Sequence, residues 1–145
     1  MKYDFIKNQA GNQFYPVSEK EIEETESILG LKLPYDLREF FIEVGYGFLR
    51  KKSEYNINRI MGPASIRDAR LKINDFEFYP DIEVYEELEE DKLIFFEANE
   101  SALLLIELGE EKNNSIYYDE IKIADSLEEF LIKIMEDDSY YIDLE

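Results

Sequence analysis

The sequence predicts an α+β domain in which helices come first, a sheet follows and a helix closes the chain. Three observations carry that expectation. Residues 17–49 hold two short helices with their start and stop signals in place. Residues 92–120 hold three apolar strands joined by short turns. Residues 125–135 then give a second capped, amphipathic pattern of helical period.

Taken in order, Met1 to Asn8 reads as a short helix or an arm that packs Tyr3, Phe5 and Ile6 on the core, and Gly11 to Pro16 reads as a loop. Ser18 is a good N-cap, with Glu21 placed to complete a capping box and Val17 and Ile22 at the positions of a hydrophobic staple. Ile22, Thr25, Ile28 and Leu29 mark a narrow inward stripe over about 18–29, which Gly30 stops. Pro34 opens a helix over 34–44, where its missing N–H costs nothing. Leu37, Phe40, Phe41 and Val44 form its apolar face, and Gly45 closes it. A strand begins at Phe48 to Arg50, and Tyr55 to Met61 alternates polar and apolar residues as a half-buried strand does. Gly62-Pro63 breaks that strand, and Ala64 to Lys72 is a short helix with Ile66, Ala69 and Arg70 along one side.

Asn74 to Asp91 admits two readings: a short helix after Pro80 that turns Ile82, Tyr85 and Leu88 inward, or an irregular acidic excursion. Lys92 to Glu97, Ala102 to Leu108 and Ser115 to Glu120 are consecutive strands. Their connections, around Asn99-Glu100-Ser101 and Gly109 to Asn114, are short enough for an antiparallel meander. The unbroken apolar run from Ala102 to Ile106 implies burial on both faces, hence a central place in the sheet. Asp125 or Ser126 caps the last helix, with Glu128 or Glu129 at the box position, and Leu127, Phe130, Leu131, Ile134 and Met135 make its buried face. Glu136 to Glu145 is an acidic tail whose Tyr140, Tyr141, Ile142 and Leu144 dock on the domain or meet a partner.

Composition excludes much chemistry. A chain of 145 residues, 45% hydrophobic and with 21 Tyr and Phe, is large and apolar enough to bury one core without disulfides or metals, so residues 1–145 read as a single domain. No secretory pattern and no apolar run of membrane-spanning length occurs, which points to a soluble cytoplasmic protein without a membrane partner. With neither cysteine nor histidine, thiol nucleophiles, Ser-His-Asp triads and histidine-ligated zinc are excluded. Carboxylate-only chemistry remains open, but there is no P-loop, dinucleotide fingerprint or EF-hand spacing. The expectation is no catalytic residue, no metal and no cofactor.

The net charge of −19 is unevenly placed. Residues 1–74 carry 12 Lys and Arg against 11 Asp and Glu; residues 75–145 carry 4 against 24. Seven cations lie between Arg50 and Lys72: Arg50, Lys51, Lys52, Arg59, Arg67, Arg70 and Lys72. They read as offsetting the acidic half within the fold; the alternative is a phosphate-binding patch. A polyanion is repelled at long range by such a charge, so nucleic acid is an unsuitable partner and a basic protein a suitable one. Self-repulsion also favours a monomer.

A capped acidic helix, then L-G-x-x-L-P, then an aromatic-rich helix ending in G-x-G resembles the start of the SUKH superfamily. The matching residues are Ser18, Glu21, Ile22, Leu29, Gly30, Leu33, Pro34, Leu37, Phe40, Phe41, Gly45 and Gly47, and Tyr46 stands where the family usually has Asn or Asn-Gly. The resemblance covers the first third of the chain. It implies a mixed, largely antiparallel sheet with helices packed on it. It also implies either a bacterial immunity protein that neutralises a cognate toxin domain, often a nuclease, or an intracellular regulatory module of the same fold with no toxin partner.

Glu86, Glu87, Glu89, Glu90 and Asp91 place five carboxylates in six residues, and Asp81, Glu83 and Tyr85 precede them. Two readings stand side by side: a solvated face, and an interface in which acid and aromatic anchors meet a basic toxin. A calcium site would need a glycine turn and alternating oxygen ligands, which this run lacks.

Overall fold

The computed structural model describes residues 1–49, 57–79, 82–98 and 102–144. Five helices, α1 (Asp4–Lys7), α2 (Glu19–Leu29), α3 (Tyr35–Glu43), α4 (Pro63–Leu71) and α5 (Leu127–Glu136), accompany one seven-stranded sheet. Its strands are β1 (Gln13–Tyr15), β2 (Tyr46–Phe48), β3 (Arg59–Ile60), β4 (Lys92–Glu97), β5 (Leu103–Glu107), β6 (Ile116–Tyr118) and β7 (Ile121–Ala124). They lie in chain order and every neighbouring pair is antiparallel. The α+β expectation holds, with no parallel pair among the described residues. No helix among these residues is long and apolar enough to cross a membrane.

The helix signals act as their chemistry requires. The Glu21 N–H donates to Ser18 Oγ at 3.1 Å and the Ser18 N–H donates back to the Glu21 carboxylate, closing the capping box. Gly30 ends α2 in the left-handed conformation, where its N–H reaches the Glu26 carbonyl at 2.9 Å. On α5 Ser126 is the cap, while Glu129 reaches past it to accept from the Asp125 N–H at 3.2 Å.

The inward stripe of α2 differs from expectation. Ile22 and Thr25 are buried, but Ile28 is 55% exposed and Glu26 is buried in its place. Glu26 accepts from the Leu33 N–H at 2.8 Å, and Arg38 stands 3.5 Å from the same oxygen. A backbone donor and flanking cations make burial of that carboxylate tolerable. The segment from Leu29 to Pro34 thus wraps an acid, not an apolar side chain. On α1, likewise, Tyr3 and Ile6 are buried and Phe5 is 39% exposed.

The expected loop at Gly11 to Pro16 is instead the edge strand β1. Only three residues long and exposed at alternate positions, it has no apolar run to mark it. Its partner explains the G-x-G signature. A Cβ on Gly45 would lie 1.9 Å from the Tyr15 carbonyl oxygen, and one on Gly47 would lie 2.0 Å from that of Gln13. Both glycines therefore have positive φ and leave room for β1. The strand begun at Phe48 to Arg50 runs instead from Tyr46 to Phe48, and the one placed at Tyr55 to Met61 is Arg59–Ile60 among the described residues. The turn at Asn99 to Ser101, with Arg50 to Asn56, lies outside them.

Leu103 to Ile106 are all fully buried and β5 has strands on both sides. A bulge in β4 at Phe95 turns consecutive rings the same way. Phe95 and Phe96 both lie against Phe130 of α5, with centroids 5.9 and 5.2 Å away. The tail folds back as a 3₁₀ turn at Tyr140–Leu144: Tyr141 is buried against Tyr118, and Tyr140 Oη donates to the Ile123 carbonyl at 2.8 Å.

Asp36, fully buried, joins three parts of the chain. Its carboxylate accepts from the backbone N–H groups of Asn113 at 3.0 Å, Asn114 at 3.1 Å and Leu127 at 3.1 Å. The Asp36 N–H donates to Asn114 Oδ1 at 2.9 Å, and the Tyr35 N–H to the Gly109 carbonyl at 3.0 Å. The 109–114 loop therefore caps α3, which Pro34 leaves without a side-chain cap.

Two stability predictions follow from these contacts. Asp36→Ala strands three backbone donors, two of them in buried bonds, and should lower unfolding free energy by about 3 kcal/mol or more in urea titrations; a loss under about 1 kcal/mol would show the junction to be dispensable. Gly47→Ala must push β1 aside and should cost at least about 1–3 kcal/mol, with hydrogen exchange accelerated first at Gln13 to Tyr15. Unchanged protection there would contradict the close-approach account.

Candidate partner-binding surface

Among the described residues the acidic excursion is built from three 3₁₀ turns, Asn74–Phe76, Ile82–Tyr85 and Leu88–Glu90. Charge explains why no α-helix forms. In a helix Glu83, Glu86, Glu87 and Glu90 would fall at spacings of three and four on one face, where like charges repel. Short turns break that periodicity while apolar residues hold the backbone. Ile82 is buried, Leu88 is half-buried, and Tyr85 Oη accepts from the Leu103 N–H at 3.3 Å. Both sequence readings of this segment were partly right: the inward set is Ile82, Tyr85 and Leu88, on an irregular path.

The end of α4 secures the other side. Arg70 donates to the carbonyls of Glu89 at 3.0 Å and Lys92 at 2.8 Å. Lys72, in the left-handed conformation at the α4 C-terminus, pairs with Glu89 Oε2 at 3.0 Å. Arg59 pairs with Glu97 at 3.2 Å. These cations join the basic stretch to the acidic half, whereas Arg67 pairs locally with Asp68 at 2.9 Å. Arg50, Lys51 and Lys52 lie outside the described residues.

The eight residues singled out in the sequence are not equivalent. Glu83, Glu86, Glu87 and Glu90 are exposed, with no ion pair among the described residues. Glu89 is an interior residue, 6% exposed. Burial pushes its carboxyl up, against the lowering effect of Lys72 and Arg70. Asp91 is exposed but held by Lys92 at 2.8 Å, which draws its carboxyl below the usual range. Tyr85 is half-buried and anchors the backbone, and Asp81 lies outside the described residues.

Two open clefts border this run. One, of about 450 Å³, is lined by Val84, Glu87, Leu88, Asp119, Glu120 and Ile121. The other, of about 530 Å³, is lined by Arg70, Lys72, Glu86, Glu87, Glu89 and Glu90. Asp119 and Glu120 escaped sequence reasoning because Ser115 to Glu120 reads as one strand; they form the two-residue turn between β6 and β7, with Asp119 at φ 55°. Phe78, 88% exposed, and Val84, 62% exposed, were also missed. Their only signal is an apolar residue set among acids. No group of three or more Asp or Glu is arranged to hold a metal ion among the described residues.

The comparisons with known proteins agree with this architecture. Over 144 residues the chain is 62% identical to the protein named "Immunity protein YxxD" of Bacillus subtilis (strain 168), an alignment covering 99% of this chain and 97% of that protein. The family model described as "SMI1 / KNR4 family (SUKH-1)" matches residues 16–133. That span runs from Pro16, next to the staple residue Val17, into α5, and takes in the capping box, the segment around Glu26, both β1-facing glycines and the acidic excursion. The chain therefore belongs to the SMI1/KNR4 (SUKH-1) family.

Proposed function

We propose that this chain is an immunity protein that binds a cognate toxin domain and blocks it without chemistry of its own. One observation carries the role: near-full-length identity of 62% to a protein named as an immunity protein. Support for the mechanism comes from the surface at residues 83–90, where four exposed carboxylates lack internal counter-ions among the described residues. A toxin that cleaves nucleic acid needs a basic groove for the phosphate backbone. An acidic face seated in such a groove excludes substrate by occupying its counter-charges, and complementary potentials speed the encounter. Glu83, Glu86, Glu87 and Glu90 supply that face, with Asp91 at one end. Glu89 and Tyr85 hold its backbone.

The role is tested by co-expressing the chain with the toxin domain encoded beside its gene and scoring growth. Growth arrest despite co-expression removes the immunity role. The mechanism has its own test in Glu86→Lys/Glu87→Lys/Glu90→Lys, which spares the ion-paired Glu89. Toxin affinity should fall on the order of tenfold or more with little change in melting temperature. Wild-type association should slow steeply as salt rises from about 0.1 M to about 1 M, since screening shortens from about 10 Å to about 3 Å. Retained affinity in the triple variant, or salt-independent association, would eliminate the acidic face as the contact.

A further inference from the structure

Glu89, which lines the cleft between the end of α4 and residues 86–90, carries an oxygen that the fold does not satisfy. Glu89 Oε2 is taken by Lys72, but Oε1 of the same buried carboxylate has no hydrogen-bond partner. A carboxylate oxygen removed from water without a donor costs free energy, and a fold retains one where a ligand or a water supplies the donor. The cations lining this cleft are already committed: Arg70 to two backbone carbonyls, Lys72 to Oε2. Glu86, Glu87 and Glu90, on the same walls, have no ion pair among the described residues. The cleft, open to solvent and of about 530 Å³, thus has surplus negative charge along its sides, and one of its lining residues, Glu89, carries an unused acceptor that is shut off from water.

We propose that this cleft receives one arginine side chain projecting from a basic protein partner, which enters between Glu86, Glu87 and Glu90 and donates to Glu89 Oε1. The inference rests on the reading of a basic partner above and names the contact that partner makes. Arginine fits better than lysine because its planar fork presents five donors at fixed angles and can satisfy several carboxylates at once. A further cation beside Glu89, added to Lys72 and Arg70, would also oppose the effect of burial that pushes its carboxyl up.

The test is an amide-resolved NMR titration of the whole chain with Nα-acetyl-arginine methylamide. Saturable shifts are expected at residues 70–72 and 86–90, weaker ones with the lysine analogue and none with the uncharged citrulline analogue. Glu86→Gln/Glu90→Gln, confined to exposed positions, should weaken the arginine response about tenfold, and Glu89→Gln should do so with the melting temperature recorded alongside. An equal response to citrulline, or arginine shifts spread evenly over all acidic surfaces, overturns the proposal. Protection from the toxin without an arginine-specific response removes the cleft and leaves the immunity role. An arginine-specific response in a chain that fails to protect keeps the cleft and removes the role.

Discussion

Asp36 stands on the first turn of α3 and its carboxylate meets the first N–H of α5, so one buried charge lies at the start of two helices. Both helix dipoles favour a negative charge there, and three backbone donors replace the water it gave up. The cost of burying an acid is offset only while all of these parts are in place. That condition fixes where α3 lies relative to the β5–β6 loop and where α5 begins after β7. Asn114 closes the arrangement by accepting from the Asp36 N–H and donating to the Gly109 carbonyl. Few apolar contacts have such directionality, which is why this junction sets the register of the helices while the aromatic core supplies their adhesion.

The recurrent motif at the start of the chain has a similar basis. L-G-x-x-L-P reads as helix punctuation, yet its geometry is that of a loop closing over Glu26, whose carboxylate takes the Leu33 N–H. G-x-G reads as a helix stop, yet its glycines are needed because the β1 backbone passes where their side chains would be. In each case the motif records a backbone that must come close to something, and only the partner gives the spacing its meaning.

That distinction separates what was legible from what was not. The helices α2, α3, α4 and α5 and the strands β4 and β5 were readable within a residue or two, because local caps and apolar periodicity determine them. β1 and β7 were not: three or four residues paired to a neighbour carry little signal of their own. Asp36 and Glu26 were not singled out, and Glu89 was read with its exposed neighbours, for one shared reason. An acid on a charged stretch looks solvated, and the donors that bury it lie 7 residues away for Glu26, 17 for Glu89, and 77 to 91 for Asp36. At the candidate surface the sequence located the acidic run correctly but gave no means of sorting its members.

The sorting has an electrostatic consequence. A chain with −19 net charge would be expected to spread its few cations over its acidic surface. Instead Arg70 is spent on backbone carbonyls, Lys72 on a buried carboxylate and Arg59 on Glu97. These contacts bind the acidic excursion to α4 and to the sheet, and leave its outward carboxylates uncompensated. Cations placed on that surface would have gained little, since exposed pairs are worth at most about 1 kcal/mol. Placed beneath it, they hold a backbone that carries mutually repelling charges in a fixed shape. The outward carboxylates thus keep no ion pair of their own while their backbone is tied down, and a tied-down array of like charges loses less entropy on meeting a charged partner than a loose one would.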